Sequence, residues 1–299
     1  MKALHDLAAP AKLNLFLHIV GKRPDGYHLL ESVFVLIDWA DTLHVERRSD
    51  GRLQRHDVLG GDLPADDLCL RAARLLQAET GCALGADIHL EKRLPAGAGM
   101  GGGSSDAATT LLALNRLWDL RLPLSRLLTL GLKLGADVPF FLGGGPAFVE
   151  GIGEILHPVT LPAQRFAVLK GPAGLATKEI FSSNLLARSE KLAIVAGFPA
   201  SAGTAEQIST AVESGRNDLQ PAAEAISSEV RDALALLSKQ FGNARMTGSG
   251  AAVFSVLAED GKDGKDDQSL ATLLQAQPEG WTGRICHSLA QHPLRGWAD

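Results

Sequence analysis

Cysteine is scarce in this chain of 299 residues, which contains only Cys69, Cys82 and Cys286. Their number is odd, they lie far apart and none forms a Cys-x-x-Cys pair. Neither a disulfide framework nor a zinc site is therefore predicted. This cysteine usage fits a reducing compartment best, and we expect a cytoplasmic protein.

Long apolar runs and an excess of basic residues are also missing. No uncharged apolar stretch reaches the roughly 18 residues of a membrane span. The opening residues, MKALHDLAAPAKLNL, lack the basic head and apolar stretch of a secretion signal. The formal net charge is −5, which gives no broad basic field. We expect no membrane or nucleic-acid partner, and any bound phosphate must be held locally.

The length of the chain predicts two domains, each large enough for its own hydrophobic core. A stretch rich in glycine and proline lies at roughly residues 150–165 and is the predicted junction. We therefore expect one domain over residues 1–155 and a second over residues 156–299.

The segment AKLNLFLHIV, residues 11–20, alternates between larger apolar positions and others, which is typical of a half-buried strand. Because successive side chains of a strand point to opposite faces, Lys12 and Asn14 are predicted to share the open face. The apolar face is predicted to consist of Leu13, Leu15, Leu17 and Ile19.

Three other patterns give further elements. The runs SVFVLIDWA and DTLHVERR are predicted to be two separate strands. DDLCLRAARLLQAETG predicts a helix that ends at Gly81. PAAEAISSEVRDALALLSKQFG predicts a single longer helix that begins at Pro221 and ends at Gly242.

The segment LPAGAGMGGGSSDAATTLLALNRLW, residues 94–118, places a glycine-rich loop between a predicted strand and an amphipathic helix. Ser104 or Ser105 is available as the N-cap of that helix, with Asp106 in its first turn. Bare backbone that leads into a helix N-terminus aims free N–H groups and the positive end of the helix dipole at one point. The pattern therefore predicts an anion site, with a flexible linker as the simpler alternative.

Known phosphate-binding designs narrow this prediction. A P-loop is excluded, because no lysine follows Gly102 or Gly103. The dinucleotide fingerprint G-x-G-x-x-G matches at Gly97, Gly99 and Gly102, so a nicotinamide-dependent oxidoreductase stays open. However, the helical segment RLPLSRLLTLGLKLG follows where that fold returns to a strand. A non-catalytic nucleotide-binding module is a further alternative.

PAGAGMGGGSSDAA resembles the ATP-binding loop of the GHMP kinases, and GADVPFFLGGGPAFVEGIGE and RMTGSGAAVFSV resemble two further blocks of that family. The resemblance implies a two-domain α+β fold with mixed and antiparallel sheets and an active-site cleft between the domains. It also implies ATP as co-substrate together with Mg²⁺. The ATP-binding residues that it implies are Pro95, Ala96, Gly97, Ala98, Gly99, Met100, Gly101, Gly102, Gly103, Ser104 and Ser105.

AKLNLFLHIVGKRPDGYHLLESVF resembles family members that phosphorylate the 2-hydroxyl of a cytidine-diphosphate-linked methylerythritol in the non-mevalonate isoprenoid pathway. Another small alcohol, such as mevalonate or homoserine, is the alternative acceptor. The resemblance implies a small-molecule substrate and a monomer or weak homodimer, and it leaves the metal ligands unknown.

The same resemblance assigns the remaining site residues. Lys12 and Asp137 form the catalytic pair, with Asp137 accepting or orienting the hydroxyl proton. An N-cap ahead of Pro139 is the alternative role of Asp137, and a helix cap is that of Thr177. The substrate-binding residues implied are Asn14 and Thr177 on methylerythritol, Tyr27 and Phe181 around cytosine, and His28 on its polar edge.

Overall fold

The structure is a computed structural model that describes residues 1–60, 63–187, 215–258 and 264–298. Within these ranges, one ten-stranded sheet carries eight helices. The strands are β1 Ala3–Lys22, β2 His28–Arg48, β3 Leu53–Leu59, β4 Gly85–Glu91, β5 Ala147–Glu150, β6 Ile155–Pro158, β7 Arg165–Lys170, β8 Arg245–Met246, β9 Val253–Leu257 and β10 Thr282–Leu289. The helices are α1 Leu68–Thr80, α2 Gly102–Leu117, α3 Leu124–Leu134, α4 Val138–Gly143, α5 Thr177–Ser182, α6 Gln220–Ile226, α7 Ser228–Phe241 and α8 Lys265–Gln275.

The strand order of the sheet is β3-β4-β2-β10-β7-β9-β8, with β1 and β5 also paired to β2 and β6 paired to β5. Only β3 and β4 run parallel among the described strand pairs. The mixed α+β fold predicted above is confirmed. The domain boundary remains a prediction; residue 155 lies at the start of β6, and β2 pairs with β10 across the two predicted domains.

The pairing of β1 with β2 has four register irregularities, and the β-bulge between Asn14 and Leu17 is the one that shapes the site. Asn14 pairs with Phe34 and Leu17 pairs with Ser32, so three steps along β1 match two along β2. Side chains along a strand point to alternate faces of the sheet, so the extra residue places Leu17 on the same face as Lys12 and Asn14. The predicted face of four aliphatic residues was wrong, since Leu17 packs in one buried cluster and Leu13 in another.

Both faces of β1 are covered. One cluster packs one face of the N-terminal strands against α1 to α4. The second packs the opposite face against the glycine loop and the C-terminal strands, through side chains that include Met100, Phe166 and Phe254. Residues 9–19 of this strand are therefore buried on both faces rather than half-buried, and residues of both predicted domains share each cluster.

Two element boundaries also differ from the sequence prediction. The runs predicted as separate strands form one strand, β2, whose first half pairs with β1 and β5 and whose second half pairs with β1 and β4. The single C-terminal helix is two helices, because Ser227 is extended and its hydroxyl accepts a hydrogen bond from Val230 N at 3.3 Å. Ser227 thus ends α6 and caps α7. No helix in the described part of the chain has both the length and the apolar character to cross a bilayer.

Candidate active site

A cavity of about 700 Å³ lies where the glycine loop, β1 and the C-terminal part of the chain meet. It brings together most of the site residues predicted from the sequence. Those that line it are Lys12, Asn14, the segment 95–104, Asp137, Thr177 and Phe181. Ser105, Tyr27 and His28 are not among the lining residues.

The glycine loop packs closely against the turn at residues 247–251. Ala251 N donates to Gly97 O at 2.9 Å, and Ala252 N donates to Ala98 O at 3.1 Å. Gly99 has φ +71°, and a Cβ there would lie 2.4 Å from Thr247 O. Glycine is required at this position both by the backbone conformation and by the approach of a second chain segment. The loop is therefore a rigidly packed element rather than a linker.

The start of α2 differs from the sequence prediction. The N-cap is Gly101, whose left-handed conformation (φ 73°) turns the loop directly into the helix. Ser104 and Ser105 lie within the first turn and do not cap it, and Asp106 follows that turn. The first amides of an α-helix have no acceptor in a preceding turn. Those of α2 begin at the cavity, as an anion site requires.

Lys12 lies at the centre of the site. Its Nζ donates to Asn14 Oδ1 at 2.6 Å, lies 3.7 Å from Asp137 Oδ2, and sits 4.5 Å from the centroid of the Phe34 ring. Lys12 is only 3% exposed, so the prediction that it occupies an open face was wrong. Burial lowers the pKa of Lys12, although the charge of Asp137 opposes this shift.

Asp137 occupies the N-cap position of α4, but its side chain makes no capping hydrogen bond. The carboxylate is 31% exposed and is directed to Lys12 instead. Asp137 therefore occupies the N-cap position that the alternative role predicted, but its side chain does not cap the helix. This leaves the carboxylate available to a substrate hydroxyl in the cavity.

Asn14 has a fixed amide orientation. Its Nδ2 donates to Ser32 Oγ at 3.0 Å, which leaves Oδ1 to accept from Lys12. Its backbone N–H donates to Thr247 Oγ1 at 2.9 Å. The site therefore joins β1, β2 and the turn after β8 through one buried network.

The opposite wall of the cavity comes from α5. Thr177 Oγ1 lies 2.8 Å from Ser249 Oγ, and the N-cap of α5 is Ala176, so Thr177 is not the cap. The Phe181 ring lies 5.5 Å from the His28 ring, with an angle of 31° between the planes. Tyr27 is 60% exposed outside the lining. The pairing of Tyr27 with Phe181 around a base stays a prediction.

Sequence reasoning missed a buried ion cluster beside the loop. Lys92 Nζ contacts Asp41 Oδ2 and lies 2.8 Å from Asp106 Oδ2. Burial raises the pKa of Asp106 to about 7; Lys92 opposes this shift and Asp41 adds to it. Asp106 directly follows the predicted anion site, and a buried carboxylate there requires a nearby cation. This signal could have led to Lys92, which lies just ahead of the loop.

The turn at 248–249 was also missed as a site element, although it lies within the block RMTGSGAAVFSV that resembles the family. Gly248 and Ser249 line the cavity. Asn217 Nδ2 holds this turn by donating to Met246 O and Gly248 O, both at 2.8 Å.

Comparison with known families identifies the class of protein. The GHMP kinases N terminal domain matches residues 67–145, and the GHMP kinases C terminal domain matches residues 198–276. The chain belongs to the GHMP kinases and is an ATP-dependent small-molecule kinase. The oxidoreductase alternative is therefore wrong, and the glycine loop joins β4 to α2 in a sheet that lacks the parallel return strand of a dinucleotide-binding unit in its described part.

Full-length relatives carry a more particular name. The chain is 56% identical over 300 residues to the 4-diphosphocytidyl-2-C-methyl-D-erythritol kinase of Methylibium petroleiphilum, covering 100% of this chain and 99% of the relative. It is also 56% identical to the protein of the same name from Variovorax paradoxus, covering 100% of each.

Solved structures agree with this relationship. A crystal structure of 4-(cytidine 5'-diphospho)-2C-methyl-D-erythritol kinase superposes with a TM-score of 0.75 at 33% identity, covering 94% of this chain and 98% of the other. A homoserine kinase from Cytophaga hutchinsonii gives a TM-score of 0.72 at 18% identity, covering 98% of this chain and 96% of the other. The second likeness shows the fold alone.

Proposed function

We propose that this kinase transfers the γ-phosphoryl group of ATP to the 2-hydroxyl of 4-(cytidine 5'-diphospho)-2-C-methyl-D-erythritol. The products are the 2-phosphate and ADP, and the reaction belongs to the non-mevalonate pathway of isoprenoid biosynthesis. Two curated relatives at 56% identity over the full chain bear the name of this activity.

The proposal rests on one observation: a single cavity contains amide donors, a pair of opposite charges and an aromatic ring. The glycine loop with the start of α2 supplies amide donors for phosphate. Lys12 and Asp137 supply a cation and a carboxylate 3.7 Å apart. Phe181 supplies an aromatic face in the same cavity, and a base is a ligand that such a face binds by stacking.

Phosphoryl transfer depends mainly on positioning and on charge stabilisation. We assign to Asp137 the orientation of the acceptor hydroxyl and acceptance of its proton, because its carboxylate has no capping partner. We assign to Lys12 the stabilisation of charge on the transferred phosphoryl group. Asn14 fixes Lys12 through the 2.6 Å hydrogen bond and, with Thr177, is placed to contact methylerythritol.

Mg²⁺ is expected to accompany ATP, and the cavity contains one carboxylate that fits such an ion. Asp106 Oδ1 is buried without a hydrogen-bond partner, and Asp106 lines the cavity. Mg²⁺ is usually held by one or two carboxylates together with phosphate oxygens and water. Asp106 would supply one oxygen to an ion that neutralises phosphate charge when bound.

The test is an ADP-release assay coupled to a spectroscopic readout, with the diphosphocytidyl acceptor, mevalonate and homoserine compared at equal concentrations. We expect turnover with the diphosphocytidyl acceptor only. Equal or greater kcat/KM with mevalonate or homoserine would show that the chain phosphorylates another small alcohol. ADP release independent of any acceptor would show a nucleotide hydrolase.

The setting of the enzyme remains part of the proposal. We infer a cytoplasmic enzyme that acts as a monomer or weak homodimer, without a nucleic-acid or membrane partner. Size-exclusion chromatography with light scattering at several protein concentrations measures the oligomeric state directly.

A further inference from the structure

The entrance of the glycine loop is fixed by a carboxylate from the neighbouring strand β2. Asp41 is completely buried, and its Oδ1 accepts hydrogen bonds from Arg93 N at 2.6 Å and from Leu94 N at 2.8 Å. These two residues lead directly into the loop. Asp41 therefore determines where the chain leaves β4.

The exit of the loop is fixed by the same carboxylate through a lysine. Asp41 Oδ2 contacts Lys92 Nζ, which lies 2.8 Å from Asp106 Oδ2 on α2. The ammonium group lies over Gly102, because a Cβ there would come within 3.4 Å of Lys92 Nζ. The cation thus lies between the two ends of the loop, next to the first residue of α2.

A simple contribution to stability does not explain this arrangement. Two carboxylates share one ammonium group in a buried place, and a buried ion pair often stabilises a fold no better than apolar residues of similar volume. A second negative group is also unfavourable beside a site for phosphate. Geometry offers the explanation, since amide donors bind an anion well only when their directions are fixed in advance.

We propose that Asp41, Lys92 and Asp106 form a clamp that holds the two ends of the glycine loop in the shape that binds nucleotide. The three are positioning residues, and they act through the backbone amides of the loop and of the first turn of α2. The inference rests on the proposed assignment of this loop as the nucleotide site.

The test measures ADP binding by calorimetry in EDTA, so that the result does not depend on a metal ion. Asp41→Asn keeps an oxygen for the amides of Arg93 and Leu94 but removes the charge that faces Lys92. Lys92→Met removes the bridge, and Lys92→Arg restores a cation. Asp87→Asn is the matched control, because Asp87 pairs with Arg48 at 2.8 Å on the same sheet and does not line the cavity.

We expect Asp41→Asn and Lys92→Met to weaken ADP binding about tenfold to a hundredfold, the size of effect that small misplacement of binding groups produces. Binding of the diphosphocytidyl acceptor should change less than about twofold, and Lys92→Arg should recover part of the loss. Asp87→Asn should leave ADP affinity unchanged. Unchanged ADP affinity in folded Asp41→Asn and Lys92→Met would overturn the clamp.

If both of these variants fail to fold, Asp106→Asn decides, because it leaves Lys92 paired with Asp41. A loss of ADP affinity of about fivefold or more in EDTA supports the clamp, and no loss overturns it. Wild-type protein that binds no ADP, or whose ADP affinity is unaffected by Gly101→Val, would instead refute the nucleotide site itself. A side chain at residue 101 would lie within 2.9 Å of the Phe141 ring and 3.3 Å of Lys12 Cγ.

Discussion

Replacement of Asp137 by asparagine separates the role of its charge from its role in the fold. The side chain is 31% exposed and makes no helix-capping hydrogen bond. The nearly isosteric change keeps the size and shape of the side chain, so the variant should fold, although it leaves the buried ammonium group of Lys12 without its carboxylate partner. Loss of a positioned general base typically costs about 10² to 10⁴ in rate, which equals about 3 to 5 kcal/mol of barrier.

The same change also acts on Lys12. Unit charges 3.7 Å apart attract by about 4 kcal/mol at an effective dielectric constant of about 20, and solvent reduces this for a partly exposed carboxylate. Burial already lowers the pKa of Lys12, and Asp137 opposes that shift. In Asp137→Asn the pKa of Lys12 therefore falls further, so that the remaining activity should rise as the pH is lowered and Lys12 becomes protonated.

The assay compares kcat, KM for both substrates, ADP affinity and melting temperature. We expect kcat to fall about 10² to 10⁴-fold, while ADP affinity changes less than about twofold and the melting temperature stays above the assay temperature. Asp119→Asn is the control, because Asp119 forms an exposed ion pair with Arg121 and does not line the cavity. A kcat of Asp137→Asn close to that of wild type would refute the assignment of this carboxylate as base or orienter.

Three further changes test other parts of the site. Phe181→Ala should raise the acceptor KM about 5- to 150-fold, the equivalent of about 1 to 3 kcal/mol of base stacking, with less than a twofold change in the KM for ATP; equal effects on both values would contradict a cytosine subsite. Gly99→Ala should lower the melting temperature more than Gly81→Ala. Both glycines have a positive φ, +71° and +65°, but a Cβ at residue 99 would lie 2.4 Å from Thr247 O, whereas a Cβ at residue 81 would meet nothing within 4 Å. Equal losses in the two variants would show that this steric clash is unimportant. Asp106→Asn should make the slope of stability against pH more positive than in wild type. The pKa of Asp106 rises from 3.8 to about 7 on folding, so its contribution to stability falls as the pH rises from about 4 to 7, by up to about 1.4 kcal/mol per pH unit. Burial lowers the pKa of His292 from 6.5 to about 4, which contributes with the opposite sign in both proteins, so the difference between the two slopes is the quantity that tests Asp106. Urea unfolding across this range measures the slope, and an equal slope in the variant would contradict the role of Asp106.

Local sequence patterns were enough to predict features that depend on the backbone conformation of the residue itself. The prediction that a helix ends at Gly81 is confirmed, because α1 ends at Thr80 and Gly81 adopts the left-handed conformation of a C-cap. The mixed α+β fold and the kinase family are confirmed as well. The residues of the loop and of the catalytic pair were found from sequence blocks, and the structure brings most of them to one cavity.

Features that depend on distant residues were not predictable in the same way. The bulge in β1 leaves the hydrophobic pattern unbroken, since Leu15 and Phe16 are both apolar and both lie in one cluster. Asn14 is covered by a turn 233 residues further along the chain, so its burial has no local signal. Ser227 was read as an interior helix residue, because its capping role becomes visible only once the chain direction changes there.

The bulge in β1 restricts how the length of this strand can vary. Removal of one residue at position 15 or 16 would restore a regular pleat between Asn14 and Leu17 and exchange the two faces for every residue on one side of the deletion. Either Lys12 would turn into an apolar cluster, or Leu17 and Ile19 would leave theirs. Insertions and deletions in homologous chains should therefore fall in the turn between β1 and β2, at residues 23–27, and spare the bulge.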